Sequence, residues 1–316
     1  MSITVIVCTY NRCDSLAKTL ASAAALRVPV SVEWEVLVVD NQSRDRTCEV
    51  VKEFCGRYPG RFRYLFEPRP GKSYALNSGI REARGTVLAF MDDDVTVEPS
   101  WLTNLTATLH SGEWAGAGGR ILPDKSFSPP RWLSLKDSRG RYMLAPLALF
   151  DLGAGPGQLA EPPFGTNMAF RKEMFEKYGG FRTDLGPRPG SEIRNEDTEF
   201  GARLLAKGER LRYEPSAVVY HRVSEERVQK KYYLDWWFAK GRADIRQFGV
   251  PTNAWCVLGI PLYLFRRLAM GSLRWMMTFD PPGRFHSKLA VWGKAGEIVE
   301  CYRQSPAGMK ACNEQN

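Results

Sequence analysis

The sequence predicts an α/β fold in which a mostly parallel sheet carries helices on both faces, followed by a mainly helical C-terminal extension. Two observations carry this prediction. Short β-branched apolar runs alternate with helix-like segments between residues 3 and 91, and such alternation folds as right-handed βαβ units around a parallel sheet. The runs also lead into polar residues, namely Thr9, Asp40, Glu67 and Asp92 to Asp94. Ligands of open parallel sheets sit beyond the carboxyl ends of the strands.

Ile3–Cys8 (ITVIVC) has the continuous apolar character of a strand buried on both faces. After the turn-like Thr9-Tyr10-Asn11-Arg12, the Ala/Leu-rich Ser15–Leu26 reads as a helix. Trp34–Asp40 (WEVLVVD) is a second buried strand that stops on an acid, Thr47–Tyr58 the next helix, and Arg63–Glu67 a short third strand. Lys72–Arg84 is helical and Gly85 stops it; Val87–Met91 (VLAFM) is a fourth strand running into three aspartates. Residues 120–163 are rich in Pro, Gly and Arg without periodicity, and are expected to form a loop-rich insertion that shapes an acceptor cleft. Order returns at Gly165–Arg171 and at a helix beginning near Arg171. A further helix over Thr198–Lys207 is closed by Gly208, and Leu211–Tyr220 is the last strand of this body.

A chain of 316 residues with 44% hydrophobic content can bury a substantial core. The charged fraction of 25% is ordinary, and no low-complexity block or internal repeat appears. The seven cysteines, at 8, 13, 48, 55, 256, 301 and 312, form no C-x-x-C pair. That argues against zinc or redox sites and fits reduced thiols in a cytoplasmic protein. Met1–Val5 leads into a strand without the basic region of a signal peptide. Residues 222–316 hold 15 Lys and Arg against 8 Asp and Glu, so most of the net charge of +9 lies in the tail and implies an anionic partner. No nucleic-acid motif accompanies it, so a membrane surface or a phosphate-bearing substrate is the expected partner.

Several groups of residues can carry chemistry. Asp92-Asp93-Asp94 contains D-x-D after a buried strand. Alternate carboxylates on an extended segment point the same way, so Asp92 and Asp94 can share a hard divalent cation that bridges to a diphosphate. An acidic surface turn has the same composition, but the strand-end position beside Asp40 favours the metal. Asp40 can accept from a nucleotide ring N–H or ribose hydroxyl, or cap the turn at Asn41-Gln42-Ser43. In Asn195-Glu196-Asp197, the acids can serve a helix dipole, or one can take the proton of an attacking hydroxyl. The helix N-terminus would keep such a base ionised. His221, after Val218-Val219-Tyr220, is either a strand-end polar residue or the completion of a Mn²⁺ or Mg²⁺ sphere begun by carboxylates. His110 and His286 have no comparable setting. Gly71-Lys72-Ser73 looks like the end of a P-loop, but Phe66 stands where the first glycine is required. Lys72 stays a candidate for a phosphate or a donor sugar.

These segments resemble the family 2 glycosyltransferases, which have the Rossmann-like GT-A fold. The resemblance covers residues 3–222 and rests on an ordered series: Val5–Arg12, Val38–Asn41, Ala75–Ile80, Phe90–Val95, Gly165–Phe170, Gly179–Phe181 and Glu196-Asp197. It implies an inverting, non-processive enzyme that moves a sugar from a UDP- or GDP-sugar to an acceptor hydroxyl in polysaccharide, glycolipid or other cell-surface glycan synthesis. It further implies that Thr9 and Asp40 contact the nucleoside, with Tyr10, Arg12, Lys72 and Asp93 also on the donor side. Asp92 would lie near the ribose and the metal, Asp94 would be the main ligand of Mn²⁺ or Mg²⁺, and His221 a further one. Asp197, rather than Glu196, would be the catalytic base, with Asn167 and Glu196 on the acceptor side.

There are departures. Leu76 stands where members often carry arginine, and Lys72 would compensate. The Q-x-x-R-W motif of processive synthases and their membrane spans are missing. A sugar-phosphate nucleotidyltransferase would need a Gly-rich loop where Thr9–Arg12 stands. A non-catalytic nucleotide-sugar binding protein would be expected to lack part of the set Asp92, Asp94, Asp197 and His221.

The expected division is a catalytic domain over residues 1–222 and a basic, aromatic-rich helical extension over 223–316. Within the extension, Tyr232–Phe238 (YYLDWWF) is aromatic, and Arg227, Lys230 or Lys231 would help the departing diphosphate. Leu258–Phe279 is mostly apolar, but Arg266 and Arg267 interrupt it before the roughly 18 residues that a span requires. On a helix, Arg266, Arg267 and Arg274 fall within an arc of about 100°. That is the pattern of an interfacial helix in anionic headgroups, and it predicts peripheral contact with the inner face of the cell membrane and a lipid-linked acceptor. The other reading is a helix packed on the catalytic domain with its arginines in solvent.

Overall fold

The computed structural model describes residues 2–133, 135 and 142–306. The chain divides into two compact units. The first comprises Met1–Ser128, Leu135–Thr183 and Glu196–Val223; the second gathers residues 129–134, Asp184–Asn195 and Ser224–Asn316.

The first unit opens with β1 (Ser2–Thr9), α1 (Cys13–Ala24), β2 (Glu33–Asp40), α2 (Thr47–Arg57), β3 (Phe62–Phe66), α3 (Lys72–Glu82) and β4 (Val87–Asp92). These strands pair in parallel in the order β3-β2-β1-β4. Alternation along each strand sorts the side chains onto two faces. Val5, Val7, Val36 and Val38 join Leu16 and Leu20 of α1 and Val51 and Phe54 of α2 in one core. Ile6, Leu37, Val39 and Phe90 join Ala75 and Ile80 of α3 in the other. The continuous apolar runs are therefore those of a sheet covered on both sides. α3 lies so close to the sheet that a Cβ on Gly79 would stand 2.8 Å from the Ile6 Cγ2.

The sheet continues through β5 (Val95–Val97), β6 (Gly116–Pro123), β7 (Tyr142–Leu144), β8 (Leu149–Asp151), β9 (Gly157–Gln158), β10 (Met168–Arg171) and β11 (Leu211–His221). Its helices are α4 (Trp101–Thr106), α5 (Lys172–Tyr178) and α6 (Glu196–Ala206). β10 inserts antiparallel between β4 and β6, while β11 runs parallel to β6 and antiparallel to β5. Phe90, Phe170, Phe175, Phe181 and Phe200 pack together beneath α5 and α6, with Phe175 and Phe200 stacked at 4.3 Å.

The loop-rich segment expected over residues 120–163 is interrupted by short strands. β6 extends to Pro123, β8 pairs with β6 and β7, and β9 pairs with β11. The glycines at the start of β6 are there for close approach. A Cβ on Gly116, Gly118 or Gly119 would lie 2.3 Å from the Phe170 ring, Pro163 or the Ala217 carbonyl oxygen, respectively.

The second unit contains α7 (Lys230–Phe248), a short hairpin of β12 (Cys256–Val257) and β13 (Ile260–Pro261), α8 (Leu262–Met277) and α9 (Pro281–Gln304). α7 and α9 meet at glycines: a Cβ on Gly241 would stand 2.0 Å from the Gly293 oxygen, and one on Gly296 2.1 Å from the Phe238 oxygen. Buried Glu300 of α9 accepts from Arg242 Nε at 2.9 Å and Arg246 Nε at 2.6 Å. The upstream segments join this core. Trp132 stands edge-on to Tyr233 and Phe285 at 5.2 and 5.1 Å, and Leu185 and Ile193 pack with Ala243. Among the described residues, no helix is long and apolar enough to cross a membrane.

Candidate active site

Three adjacent parallel strands end together, with Thr9 opposite Asp40 and Cys8 opposite Asp92. Asp40 is buried and already accepts from the Tyr64 hydroxyl at 2.8 Å and the Ser43 N–H at 2.9 Å. Beside it, Asn41 donates to the carbonyls of Glu67 and Arg69 and accepts from the Gly71 N–H at 2.7 Å. This one amide fixes the loop that delivers Lys72 to the start of α3. The loop's acid, Glu67, is clasped by Arg69 and Ser78. The Arg69 bonds lead in holding its pKa down to about 2, against the effect of burial.

The three aspartates do not lie on one extended segment. Asp92 ends β4, but Asp93 and Asp94 form a turn by which the chain leaves for β5. Their side chains therefore face different partners, which corrects the premise that Asp92 and Asp94 point the same way. Asp92 accepts from Lys72 Nζ at 2.8 Å and from the Thr166 hydroxyl at 2.7 Å. Asp93 accepts from the Thr9 hydroxyl at 2.7 Å and Arg12 Nη1 at 2.9 Å. The same Arg12 nitrogen lies 3.1 Å from Asp94.

His221 ends β11 in register with Val95. That pairing brings its Nε2 to 3.5 Å from Asp94 Oδ1. Among the described residues, no three His, Cys, Asp or Glu side chains converge as a ready metal cage. Asp94 and His221 nevertheless offer an oxygen and a nitrogen close enough to share one ion, a donor set suited to Mn²⁺ or Mg²⁺ with further ligands from a diphosphate. Burial pushes the Asp93 carboxyl up to about 6, and Asp94 and Asp92 add to the rise against the pull of Arg12 and Thr9.

A small cavity opens beyond β4, lined by Lys72, Leu76, Asp92, Gly165, Glu196 and Asp197. Burial disfavours the Lys72 ammonium, but Asp92, Glu196 and Asp197 outweigh it and hold its pKa well above the usual lysine value. Glu196 is buried 3.5 Å from Lys72. Burial raises its pKa, with Asp197 adding to the effect and Lys72 opposing it. Asp197 is partly exposed, and each of its oxygens is held by backbone: Oδ2 by the Gly165 N–H at 2.6 Å, Oδ1 by the Thr198 N–H at 2.7 Å. Gly165 is required here, because a Cβ would lie 2.8 Å from the carboxylate it serves.

Not every expected residue joins the cavity. Asn167 is fully buried elsewhere: it accepts from Trp101 Nε1 at 2.8 Å and donates to the carbonyls of Arg120 and Ala217. Its amide ties α4, β6 and β11 together and has no face on the acceptor side. Tyr10 is 43% exposed at the loop after β1. Arg227, Lys230 and Lys231 belong to the second unit, where Lys231 pairs with Asp235 and Lys230 stands over Trp132 and Phe285. Sequence reasoning passed over Thr166 and Tyr64. Thr166 sits inside the Gly165–Phe170 segment, whose polar residues were the available signal.

A family model described as Glycosyl transferase family 2 matches residues 4–179. The chain is 29% identical over 243 residues to the succinoglycan biosynthesis protein ExoM of Rhizobium meliloti (strain 1021), covering 77% of this chain and 72% of that protein. It is 27% identical over 248 residues to the glucosyl-dolichyl phosphate glucuronosyltransferase of Haloferax volcanii, covering 75% and 72%. The fold matches the mannosyltransferase PcManGT from Pyrobaculum calidifontis, solved with GDP-Man and Mn²⁺, at a TM-score of 0.57 and 20% identity over 99% of this chain and 79% of that one. It also matches S. aureus TarS 1-349, solved with UDP, at 0.52 and 17% identity over 100% and 92%. Both solved proteins are glycosyltransferases of GT-A fold, and this chain shares that fold.

Proposed function

Because the chain belongs to glycosyl transferase family 2, we propose that it moves a sugar, with inversion, from a nucleoside-diphosphate sugar to an acceptor hydroxyl. The observation that carries this reading is the pair of carboxylates at the start of α6, which border one cavity with Lys72 and Asp92. Asp197 is the base. The Gly165 and Thr198 N–H groups fix its orientation, and Oδ2, which accepts from Gly165 alone, keeps a lone pair for the acceptor's proton. Glu196 is the weaker candidate, since burial raises its pKa and its charge is committed to Lys72.

On the donor side, Thr9 and Asp40 flank the nucleoside at the ends of β1 and β2, with Tyr10 at the rim. Arg12 and Asp93 hold the turn that carries Asp94. Lys72 sets a cation against Asp92 where the donor's phosphate or sugar would lie, in the position that Leu76 leaves without an arginine. Asp94 and His221 would hold a divalent cation, Mn²⁺ or Mg²⁺, beside Asp92; when bound, the ion supplies positive charge to the departing diphosphate. The GDP-Man, Mn²⁺ and UDP of the solved fold relatives support a nucleotide donor and a metal. The names of the two curated relatives support an acceptor carried by a glycan or a lipid phosphate, in glycan biosynthesis.

The test is donor binding and turnover with UDP- and GDP-sugars in Mn²⁺, Mg²⁺ or EDTA. Asp94→Ala should lose the metal-dependent part of binding. Asp197→Asn should keep binding while kcat falls by about 10²–10⁴-fold. Turnover of Asp197→Asn at the wild-type rate would overturn the base assignment, and failure to bind any donor with or without metal would favour a non-catalytic protein.

A further inference from the structure

We propose that the outward face of α8, together with the β12–β13 hairpin, docks in the plane of an anionic lipid bilayer. α8 buries Leu264 and half-buries Tyr263, Leu268 and Trp275, while six further large apolar residues face solvent. At about 100° per residue, Leu262, Phe265, Met270, Leu273, Met276 and Met277 fall within an arc of about 140°, centred opposite Leu264. All six are exposed, Met270 at 64% and Met277 at 66%. The helix is thus apolar outward as well as inward, unlike a helix that merely covers a core and turns a polar face to solvent.

Both ends of the helix extend this surface. The Leu262 N–H donates to the Trp255 carbonyl, so Trp255, 85% exposed, stands beside the first turn. The hairpin turn presents Leu258, and Phe279, 87% exposed, follows the last turn. A contiguous exposed apolar surface of this kind marks an interaction site.

Charge identifies the occupant. Leu262–Met277 contains Arg266, Arg267 and Arg274 and no acid. Arg267 and Arg274 lie on one flank of the apolar arc, at the level of headgroups if the arc is immersed. Arg266 falls inside the arc, where a flat protein partner would bury its charge at a cost. At a bilayer surface its long stem can lie among the chains while the guanidinium reaches lipid phosphate. The helix is too short and too charged to span, so it lies in the plane.

The experiment is co-sedimentation of the full chain with phosphatidylcholine vesicles, with and without phosphatidylglycerol, checked by circular dichroism. It reads binding alone and stands apart from sugar transfer. Retention should be about tenfold or more stronger on the phosphatidylglycerol vesicles and should fall as salt rises. Arg267→Glu with Arg274→Glu should remove that preference, and folded Leu273→Glu with Met276→Glu should lose retention on both vesicle types. No retention of the unmodified chain on phosphatidylglycerol vesicles overturns the proposal, whatever the variants do. So does retention unchanged in the folded Leu273→Glu, Met276→Glu protein. A chain that ignores vesicles and dimerises through this face, becoming monomeric in that variant, assigns the surface to a second copy instead.

Discussion

At the scale of single residues, position in a parallel sheet did most to make the site readable. Thr9, Asp40 and Asp92 end neighbouring strands, and the register of β1 with β2 and β4 leaves them side by side. Asn167 shows where that logic stops. Its segment is distinctive, but whether the amide faces the cavity or the interior depends on how β10 meets β6, which no local pattern encodes. Asn167→Ala would leave the Trp101 N–H and the carbonyls of Arg120 and Ala217 without this partner. A loss of about 3 kcal/mol in urea unfolding is expected, with donor affinity close to wild type at temperatures where the variant is folded. A large loss of acceptor affinity without loss of stability would return Asn167 to the acceptor side. Asp93 and Asp94 were legible as acids but not as a turn, because the break between β4 and β5 is a property of sheet pairing rather than of composition.

Elements built from β-branched or Ala/Leu-rich runs were legible nearly to their ends, since their periodicity is the burial pattern itself. β6 was not, because glycines replaced the apolar signal exactly where neighbours press closest. The same physics governs α7 and α9. Gly296→Ala should destabilise the protein by about 2 kcal/mol in denaturant unfolding, because its methyl would meet the α7 backbone. Gly155→Ala, with open space around it, serves as the neutral control.

Glu300 joins the same two helices by charge. Its folded pKa is lowered, since Arg246 and Arg242 overcome the opposing effect of burial. The stability it contributes is therefore present above the unfolded carboxylate value of about 4.3 and is lost as pH falls through the lower folded value. Glu300→Gln should lower the melting temperature at neutral pH and flatten its decline on the acid side of that window. An unchanged acid-side slope would count against the assignment.

At the scale of the molecule, the second unit draws on residues 129–134 and 184–195 as well as the C-terminal helices. Nothing local in those two segments signals it, because their partners lie far along the chain. Within that unit Trp132 packs on Tyr233 and Phe285, and buried Leu185 and Ile193 pack with Ala243. A chain ending at residue 223 should consequently expose them, lowering the melting temperature and promoting self-association in size-exclusion chromatography. A truncated chain as stable and monodisperse as the full one would show that these contacts contribute little.

The antiparallel insertion of β10 also sets an order of assembly. β1 to β4 are complete once residue 92 has been made, but the far edge of β4 waits for Met168–Arg171. During synthesis the nascent chain therefore carries an unpaired apolar strand edge for the time taken to translate the intervening stretch. Such edges invite pairing with other chains. The half of the sheet that forms most readily is thus also the half that most needs shielding at the ribosome.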